Sequence, residues 1–287
     1  VEPQRLRLIM DRFDARRGNV DSRGSHLFSA SEIRRAIHDK ALVNYYQPKV
    51  SMVTGALLGV EALVRWQHPQ EGLVFPDQFI PLAEECGLID ALTMVVLEQA
   101  LVQARAWQDA GLSLQVAVNV SMDNLAALDF PDKVVEQAAR AGVALTALTL
   151  EVTESRLMRD MRTQLDTLAR LRLRRVSLSI DDFGTGHSSL VQLRDLPFNE
   201  LKLDRGFVTG AAHNESLKAI VAATLAMAGK LGMTSVAEGV EGLEDWTLLR
   251  ELGCDVAQGY FIARPMRAQD LPGWLQDWES RSAQRGG

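Results

Sequence analysis

Oxygen-bearing side chains that recur where predicted β-strands end are the feature that most constrains this chain. They are Glu61, Asn119, Glu151, the adjacent pair Asp181 and Asp182, and Glu238. Residues this far apart in sequence share a site only if the fold brings several strand ends together, as the carboxyl-terminal mouth of a closed barrel does. Because hard divalent cations prefer carboxylate and amide oxygens, the pattern predicts a magnesium or manganese site at such a mouth.

Predicted strands alternate with predicted helices along most of the chain. The strands are expected at Leu42 to Ser51, Leu57 to Trp66, Leu114 to Val120, Leu148 to Val152, Arg175 to Asp181, Glu200 to Leu203, Thr234 to Glu238 and Asp255 to Phe261. Eight such units predict an α/β fold, a TIM-like (β/α)8 barrel. The turn at Thr54 and Gly55 is too short for a helical crossover, so the first strand is expected to run antiparallel to the rest.

Bulk properties exclude several classes of protein. The 287 residues are 47% hydrophobic and 24% charged, which is typical of a soluble globular domain, and a net charge of −6 argues against a general DNA or RNA binder. Cys86 and Cys254 lack the spacing of a zinc site or a disulfide framework. The longest apolar stretch, 219–229, is too short for a membrane span, and no secretory signal is visible, so a cytoplasmic protein is expected.

The chain is expected to contain one folded domain with two flanking segments. Residues 1–28 have the pattern of an amphipathic helix followed by a polar linker, and they are interpreted as the remnant of an upstream regulatory domain. Residues 29–280 are expected to form the barrel, with Ser29 or Ser31 capping its first helix. Residues 281–287 are expected to be a flexible tail.

The charge of the predicted site bears on how many cations it holds. Its five carboxylates carry five negative charges, and Lys202 on the next strand supplies one positive charge. Two divalent cations would complete the balance, whereas a single cation would leave two negative charges over. The count favours two ions, although a protonated carboxylate would also permit one.

Short motifs around these residues resemble the EAL family of cyclic di-GMP phosphodiesterases. They are Glu61-Ala62-Leu63-Val64-Arg65, Asn119-Val120-Ser121, Glu151-Val152-Thr153-Glu154, Asp181-Asp182-Phe183-Gly184-Thr185-Gly186, Lys202-Leu203-Asp204 and Ala237-Glu238-Gly239-Val240-Glu241. The resemblance extends from about Tyr45 to Pro265, in the family's order. It implies an EAL phosphodiesterase domain that hydrolyses the bacterial second messenger cyclic di-GMP to linear 5′-pGpG by a water activated by two metal ions.

The resemblance also implies a role for each residue. Glu61, Asn119, Glu151 and Asp181 look like ligands of one ion, and Asp181, Asp182 and Glu238 like ligands of the other. Lys202 would hold the attacking water, so the catalytic group is expected to comprise Lys202, Glu238, Asp182 and Glu61. The substrate groove would be lined by Gln47, Leu63, Arg65, Asp204, Glu241, Gln258 and Pro265. Glu154 would brace the loop that contains Gly184 and Gly186. Independently of the resemblance, Asp204 could also fix Lys202, because a spacing of two residues places both on one face of a strand.

Cofactors and partners follow from the same resemblance. The cofactors are expected to be two Mg²⁺ or Mn²⁺ ions, with Ca²⁺ inhibitory. A homodimer is expected through the region around residues 182–190, and residues 1–28 look like the end of a receiver domain. Two alternatives stay open, namely a catalytically silent cyclic di-GMP receptor and an unrelated metal-dependent barrel lyase or aldolase.

Overall fold

The fold is a mixed β-barrel surrounded by helices. The structure, a computed structural model, describes residues 28–153, 161–185 and 190–285. Its strands are β1 (Leu42–Ser51), β2 (Leu57–His68), β3 (Gly72–Val74), β4 (Gln115–Asn119), β5 (Leu148–Thr153), β6 (Ser177–Phe183), β7 (Glu200–Leu203), β8 (Thr234–Ala237) and β9 (Val256–Ala257).

The sheet closes on itself through its first strand. The strand order is β1-β9-β8-β7-β6-β5-β4-β2-β3, and an additional pairing joins β1 to β2. Strand β1 is antiparallel to both of its neighbours, whereas β2 and β4 to β9 pair in parallel. The predicted barrel and its antiparallel first strand are therefore confirmed. Strand β3 is an addition outside the barrel, paired antiparallel with the far end of β2.

Helices connect the strands and cover the outside of the barrel. They are α1 (Ala30–His38), α2 (Pro76–Glu85), α3 (Ile89–Asp109), α4 (Met122–Ala126), α5 (Phe130–Ala141), α6 (Met161–Leu173), α7 (Leu190–Asp195), α8 (Arg205–Val208), α9 (Glu215–Lys230), α10 (Leu243–Glu251) and α11 (Leu271–Arg285). Ser29 caps α1 in a reciprocal capping box with Glu32. Helix α11 runs to Arg285, so most of the predicted tail is helical. Among the described helices, none is both long and apolar enough to cross a bilayer.

Side chains alternate between the two faces of each barrel strand, and this alternation separates the core from the site. On β6, Leu178 and Ile180 face outward and are fully buried under helices. Ser177, Ser179 and Asp181 alternate with these two residues along the strand and lie on the inner face. The interior is thus unusually polar for a barrel, in which bulky branched residues normally fill the inside. Apolar packing is concentrated between the sheet and the helices.

The last predicted strand, Asp255 to Phe261, is much shorter in the structure. Only Val256 and Ala257 pair in the sheet. The chain then turns at Gly259, whose φ is 157° and whose backbone lies so close to Val240 that an added Cβ would be 2.3 Å from the Val240 nitrogen. The two backbones stay in contact beyond Ala257, where Val240 N donates to Gln258 O at 3.1 Å and Phe261 N donates to Val240 O at 2.9 Å, but the pairing is no longer that of a regular strand.

Gly59 allows β2 and β4 to approach each other just below the site, so its replacement is expected to destabilise the fold. A Cβ at this position would lie 2.5 Å from the Gln115 carbonyl oxygen, a backbone atom with little freedom to move. We expect Gly59→Ala to lower the free energy of unfolding by about 1–3 kcal/mol, as overpacking does. Urea denaturation followed by circular dichroism measures the change.

Gly229 provides the matched control, because it lies exposed within α9 and an added Cβ would meet nothing within 4 Å. Gly229→Ala is expected to stabilise the protein by up to about 1 kcal/mol, since alanine is the better helix former. Equal effects of the two substitutions would contradict this account of Gly59.

Candidate metal and substrate site

The barrel brings the predicted ligands together at one mouth. Glu61 lies on β2, Asn119 ends β4, Glu151 lies on β5, Asp181 and Asp182 lie on β6, Lys202 lies on β7, and Glu238 directly follows β8. Glu61 is an exception to the expectation that every ligand ends its strand. It is in the middle of β2, because this strand continues past the barrel rim to pair with β1 and β3.

Lys202 is the centre of this cluster. Its Nζ lies 2.7 Å from Glu151, 2.7 Å from Glu238, 3.2 Å from Asp181 and 3.5 Å from Glu61. The lysine side chain is fully buried. Burial alone would lower its pKa, but the surrounding carboxylates raise the pKa well above its usual range, so Lys202 carries a positive charge.

Hydrogen bonds orient Glu61 and Asn119 with respect to each other. Asn119 Nδ2 donates to Glu61 Oε1 at 2.8 Å, and Gln258 Nε2 donates to Glu61 Oε2 at 2.7 Å. Since the Asn119 amide nitrogen is used by Glu61, its carbonyl oxygen is the atom that remains to bind a cation.

Asp182 adopts an uncommon backbone conformation that directs the end of β6. Its φ is 54°, in the left-handed region, and its amide nitrogen donates to Asp181 Oδ1 at 3.0 Å. Gly184 follows with φ 96°, and a Cβ there would lie 2.7 Å from the Phe207 ring. This local geometry allows oxygens of Asp181, Asp182 and Glu238 to lie within 4.8 Å of one another.

The cluster carries more negative charge than Lys202 neutralises. Burial and the neighbouring carboxylates raise the pKa of Glu238 to about 8 and that of Asp182 to about 6. Burial, reinforced by Glu61, raises the pKa of Glu151 well above its usual range. Glu61 differs: burial opposes its ionisation, but Lys202 and the bonds from Gln258 and Asn119 lower its pKa to about 2. The site therefore favours additional positive charge.

These observations fit a site for divalent cations. The donor set consists of carboxylates and one amide, which are the hard oxygen ligands that Mg²⁺, Mn²⁺ and Ca²⁺ prefer. Burial first, and repulsion between neighbouring carboxylates second, raise the pKa values of Glu238, Asp182 and Glu151. A bound cation would supply the missing charge.

A cavity of about 240 Å³ opens beside the cluster and contains many of the predicted substrate contacts. Its lining includes the predicted residues Gln47, Glu61, Leu63, Asp181, Glu238, Glu241 and Gln258. Gln47 and Gln258 are joined by a hydrogen bond of 3.0 Å, which links β1 to the segment after β9. The structure thus brings together side chains that are more than 200 residues apart in sequence.

Two other predicted substrate residues, Arg65 and Pro265, do not line this cavity. Arg65 is buried, and its guanidinium packs 4.9 Å from the Phe75 ring centroid and 5.7 Å from that of Tyr45. Pro265 is half-buried and precedes Met266, whose backbone pairs with that of Tyr46. Glu154 and Gly186 lie outside the described residues.

Asp204 does not fix Lys202 as the sequence led us to expect. Its side chain instead accepts a hydrogen bond of 2.9 Å from the Gly206 amide and caps α8. The two-residue spacing indicated a shared face, but β7 ends at Leu203, so the alternation no longer applies at position 204.

Sequence reasoning missed several residues of the mouth and the barrel interior. Arg205 and Tyr260 line the cavity, and the Arg264 guanidinium lies 4.1 Å from the Tyr260 ring centroid. Lys49 and Glu200 form a buried ion pair of 2.7 Å below the acidic cluster. Strand alternation carried a signal for this pair, because Lys49 shares a face with Gln47 and Glu200 shares one with Lys202.

A closed barrel with an oxygen-rich, acidic mouth defines the general class of this protein, and comparisons with known proteins define the family. The family model described as "EAL domain" matches residues 30–265. RocR of Pseudomonas aeruginosa, named a cyclic di-GMP phosphodiesterase, is 34% identical over 268 residues, which cover 93% of this chain and 68% of RocR. The chain belongs to the EAL domain family.

MucR of Pseudomonas aeruginosa, named a bifunctional diguanylate cyclase/cyclic di-GMP phosphodiesterase, is 45% identical over 84% of this chain. The match spans only 35% of the length of MucR. A solved structure of the MucR phosphodiesterase in complex with c-di-GMP superposes with a TM-score of 0.80, covering 84% of this chain and 98% of that one. An EAL domain protein from Listeria monocytogenes, 27% identical, superposes with a TM-score of 0.75, covering 85% and 96% of the two chains.

Metal binding is expected to release protons near neutral pH. Because the pKa of Glu238 is about 8 and that of Asp182 about 6, both carboxyls hold part of their protons in the metal-free protein between pH 6 and 8. A cation displaces these protons, so Mn²⁺ affinity should rise with pH over this range. Calorimetric titration in buffers of different ionisation enthalpy measures the number of protons released.

The same shifts predict how the stability of the metal-free protein changes with pH. A carboxyl with a raised pKa holds more protons in the folded than in the unfolded state, so stability falls as pH rises toward about 8. The lowered pKa of Glu61 acts only in more acidic solution, as pH falls below about 4.5. Urea titrations in a chelator should show this fall, and a stability that increases from pH 6 to 8 would contradict the assignment.

Proposed function

We propose that this protein hydrolyses cyclic di-GMP to linear 5′-pGpG with a water activated by two divalent metal ions. The observation that carries the proposal is the convergence of the predicted oxygen ligands at one barrel mouth. Four of their carboxylates contact Lys202, Asn119 joins them through Glu61, and Asp182 lies beside Asp181 and Glu238. Relatives that share this domain are named cyclic di-GMP phosphodiesterases, and the MucR structure was solved with c-di-GMP.

The residues divide into two proposed ligand groups. Glu61, Asn119, Glu151 and Asp181 would hold one Mg²⁺ or Mn²⁺ ion, and Asp181, Asp182 and Glu238 the other. Such a pair of ions supplies a hydroxide nucleophile near neutral pH and stabilises both the attacking and the leaving oxygen of a phosphodiester.

Lys202 has a separate part in the proposed reaction. Its buried ammonium is a fixed positive charge on the floor of the mouth, and it reaches four carboxylates within 3.5 Å. From there it would orient the attacking water and stabilise the negative charge that develops on the phosphate. Its carboxylate partners hold the ammonium in place before the substrate arrives, so little reorganisation is needed during the reaction.

The shape of the mouth suits a substrate with a base on each side of its phosphodiester. The cavity of about 240 Å³ and a more apolar one of about 520 Å³ both reach the cluster, and both are lined by Leu63. The larger cavity also reaches Asn119 and Asp182. A dinucleotide would place one purine in each cavity, and the guanidinium groups of Arg65 and Arg205 are the proposed contacts for its negative charge.

Incubation with cyclic di-GMP tests the function directly. We expect purified protein to convert cyclic di-GMP to pGpG with Mg²⁺ or Mn²⁺, and Ca²⁺ to inhibit because its flexible coordination suits an oxygen site without supporting magnesium-type chemistry. Chromatographic separation of the nucleotides measures the product. Tight binding without any product in saturating Mg²⁺ and Mn²⁺ would instead identify a catalytically silent receptor.

Glu61→Ala is expected to abolish turnover while it leaves the fold intact. The side chain contacts Asn119, Gln258 and Lys202 at the mouth, whereas the packing that stabilises the barrel lies on the opposite face of β2. We expect a loss of at least about 100-fold in kcat, with an unfolding midpoint close to that of the unchanged protein. Glu244→Gln, at an exposed position, is the matched control and should retain activity.

Three further assignments are proposals of the same kind. We propose a homodimer formed through the region around residues 182–190. We also propose that residues 29–280 act as the phosphodiesterase domain in the cytoplasm, and that residues 1–28 connect it to an upstream regulatory domain such as a receiver. Relatives such as MucR are much longer than the part that this chain matches, which supports the last of these assignments.

A further inference from the structure

A second lysine reaches the acidic cluster from below. Lys49 extends from β1 across the barrel interior, and its Nζ lies 2.7 Å from Glu200 Oε1 on β7 and 3.4 Å from Glu151 Oε1 on β5. All three side chains are at least nine-tenths buried. In the sheet, Ser179 of β6 pairs with both Glu151 and Glu200, so the two carboxylates lie in one layer of the barrel on either side of a small residue.

The two oxygens of Glu151 are held unequally. Its Oε2 accepts from Lys202 at 2.7 Å, whereas its Oε1 has Lys49 as a more distant partner at 3.4 Å. Because the strength of a charge–charge contact falls with distance, Oε1 is the less committed oxygen. It is therefore the Glu151 atom best able to bind a metal ion.

An ammonium group and a metal ion compete for the same carboxylate oxygen. The Lys49 ammonium is closer to Glu200, at 2.7 Å, than to Glu151 Oε1, at 3.4 Å, so Glu200 is its nearer compensating charge. If Glu200 lost its charge, Glu151 would be the carboxylate within salt-bridge distance of Lys49 among the described residues. The ammonium would then be expected to move onto Oε1 and occupy it.

We propose that Glu200 is a positioning residue that holds Lys49 away from Glu151 and so leaves Glu151 Oε1 available to a metal ion. This inference rests on the proposed function, because it assumes that Glu151 is a metal ligand. It assigns a role to two residues that lie below the mouth, and it concerns metal affinity rather than the chemical step.

The test is a titration with Mn²⁺ in the absence of substrate, in which electron paramagnetic resonance measures the free ion. The unchanged protein is expected to bind two ions. Glu200→Gln should lower the affinity for one of these ions by about tenfold or more, which is the range typical of residues that support metal ligands. The affinity for the other ion should stay nearly unchanged. The affected ion is the one that uses Glu151.

The double variant Lys49→Met with Glu200→Gln provides the rescue. It removes the competing ammonium together with its anchor, so both Mn²⁺ affinities should return to those of the unchanged protein. Glu136→Gln is the matched control, because Glu136 forms an exposed ion pair with Arg140 on α5, and no affinity should change.

Several results would overturn the inference. Unchanged Mn²⁺ affinities in Glu200→Gln would show that Glu200 has no such role. An equal loss of affinity for both ions would show that Glu200 acts only through the negative charge that it adds to the site. If the double variant does not regain the affinity for the affected ion, Lys49 supports Glu151 rather than competing with the metal ion for its oxygen. If Glu200→Gln does not fold, the double variant alone decides. A loss of Mn²⁺ affinity in the double variant would then show that Lys49 supports Glu151, and the inference would be wrong.

The proposed function fails in a different way from the inference. If the unchanged protein binds no Mn²⁺, the metal-dependent mechanism is wrong, and this result does not depend on any variant. If it binds two ions and hydrolyses cyclic di-GMP but Glu200→Gln binds like the unchanged protein, only the inference is wrong.

Discussion

The contact between one buried ammonium and four carboxylates is the interaction on which the rest of this structure depends. Lys202 lies within 3.5 Å of side chains from β2, β5, β6 and the end of β8. Two like charges 4 Å apart repel by about 4 kcal/mol at the effective dielectric of a protein surface. A few such pairs would exceed the ~5–15 kcal/mol by which a domain is stable, so the mouth closes only with compensating charge. Lys202 supplies part of it, and protons or cations must supply the remainder.

The barrel tolerates this concentration of charge because its stability comes from elsewhere. Outward-facing residues such as Leu150, Ile180 and Leu201 are fully buried between the sheet and the helices. The interior is therefore free to carry polar layers, with Lys49 and Glu200 below and the acidic cluster above. Substitutions at the mouth and in the sheet–helix core should accordingly affect different properties, because the two groups of residues share strands but not contacts.

Much of the fold and of the candidate site was predictable from sequence, since both follow from local patterns. Period-two alternation marked the strands, and the short turn at Gly55 required an antiparallel pair. What sequence did not predict depends on register and closure. Strand β9 ends early where Gly259 closely approaches the Val240 backbone, and Glu61 lies mid-strand because β2 continues beyond the rim.

The same limit explains the errors at the level of single side chains. Asp204 belongs to a helix cap because β7 ends one residue earlier, and a strand end cannot be placed to one residue from sequence. The contact of Lys49 with Glu151 and Glu200 spans the barrel, so it exists only after the sheet has closed. Local patterns identify which residues face inward, but closure decides which of them meet.

The charge of the mouth also bears on the order in which cations and substrate bind. The proposed substrate is an anion, whereas the protein carries a net charge of −6 and concentrates carboxylates where a phosphodiester would lie. Arg205 lines the cavity, and Arg65 lies near it against Tyr45 and Phe75, but neither cation sits within the acidic cluster itself. Electrostatics therefore favour a sequence in which the metal ions neutralise the cluster first and the phosphodiester follows. In that sequence the carboxylates, which would repel the substrate by themselves, would hold the two proposed cations that the phosphate could approach.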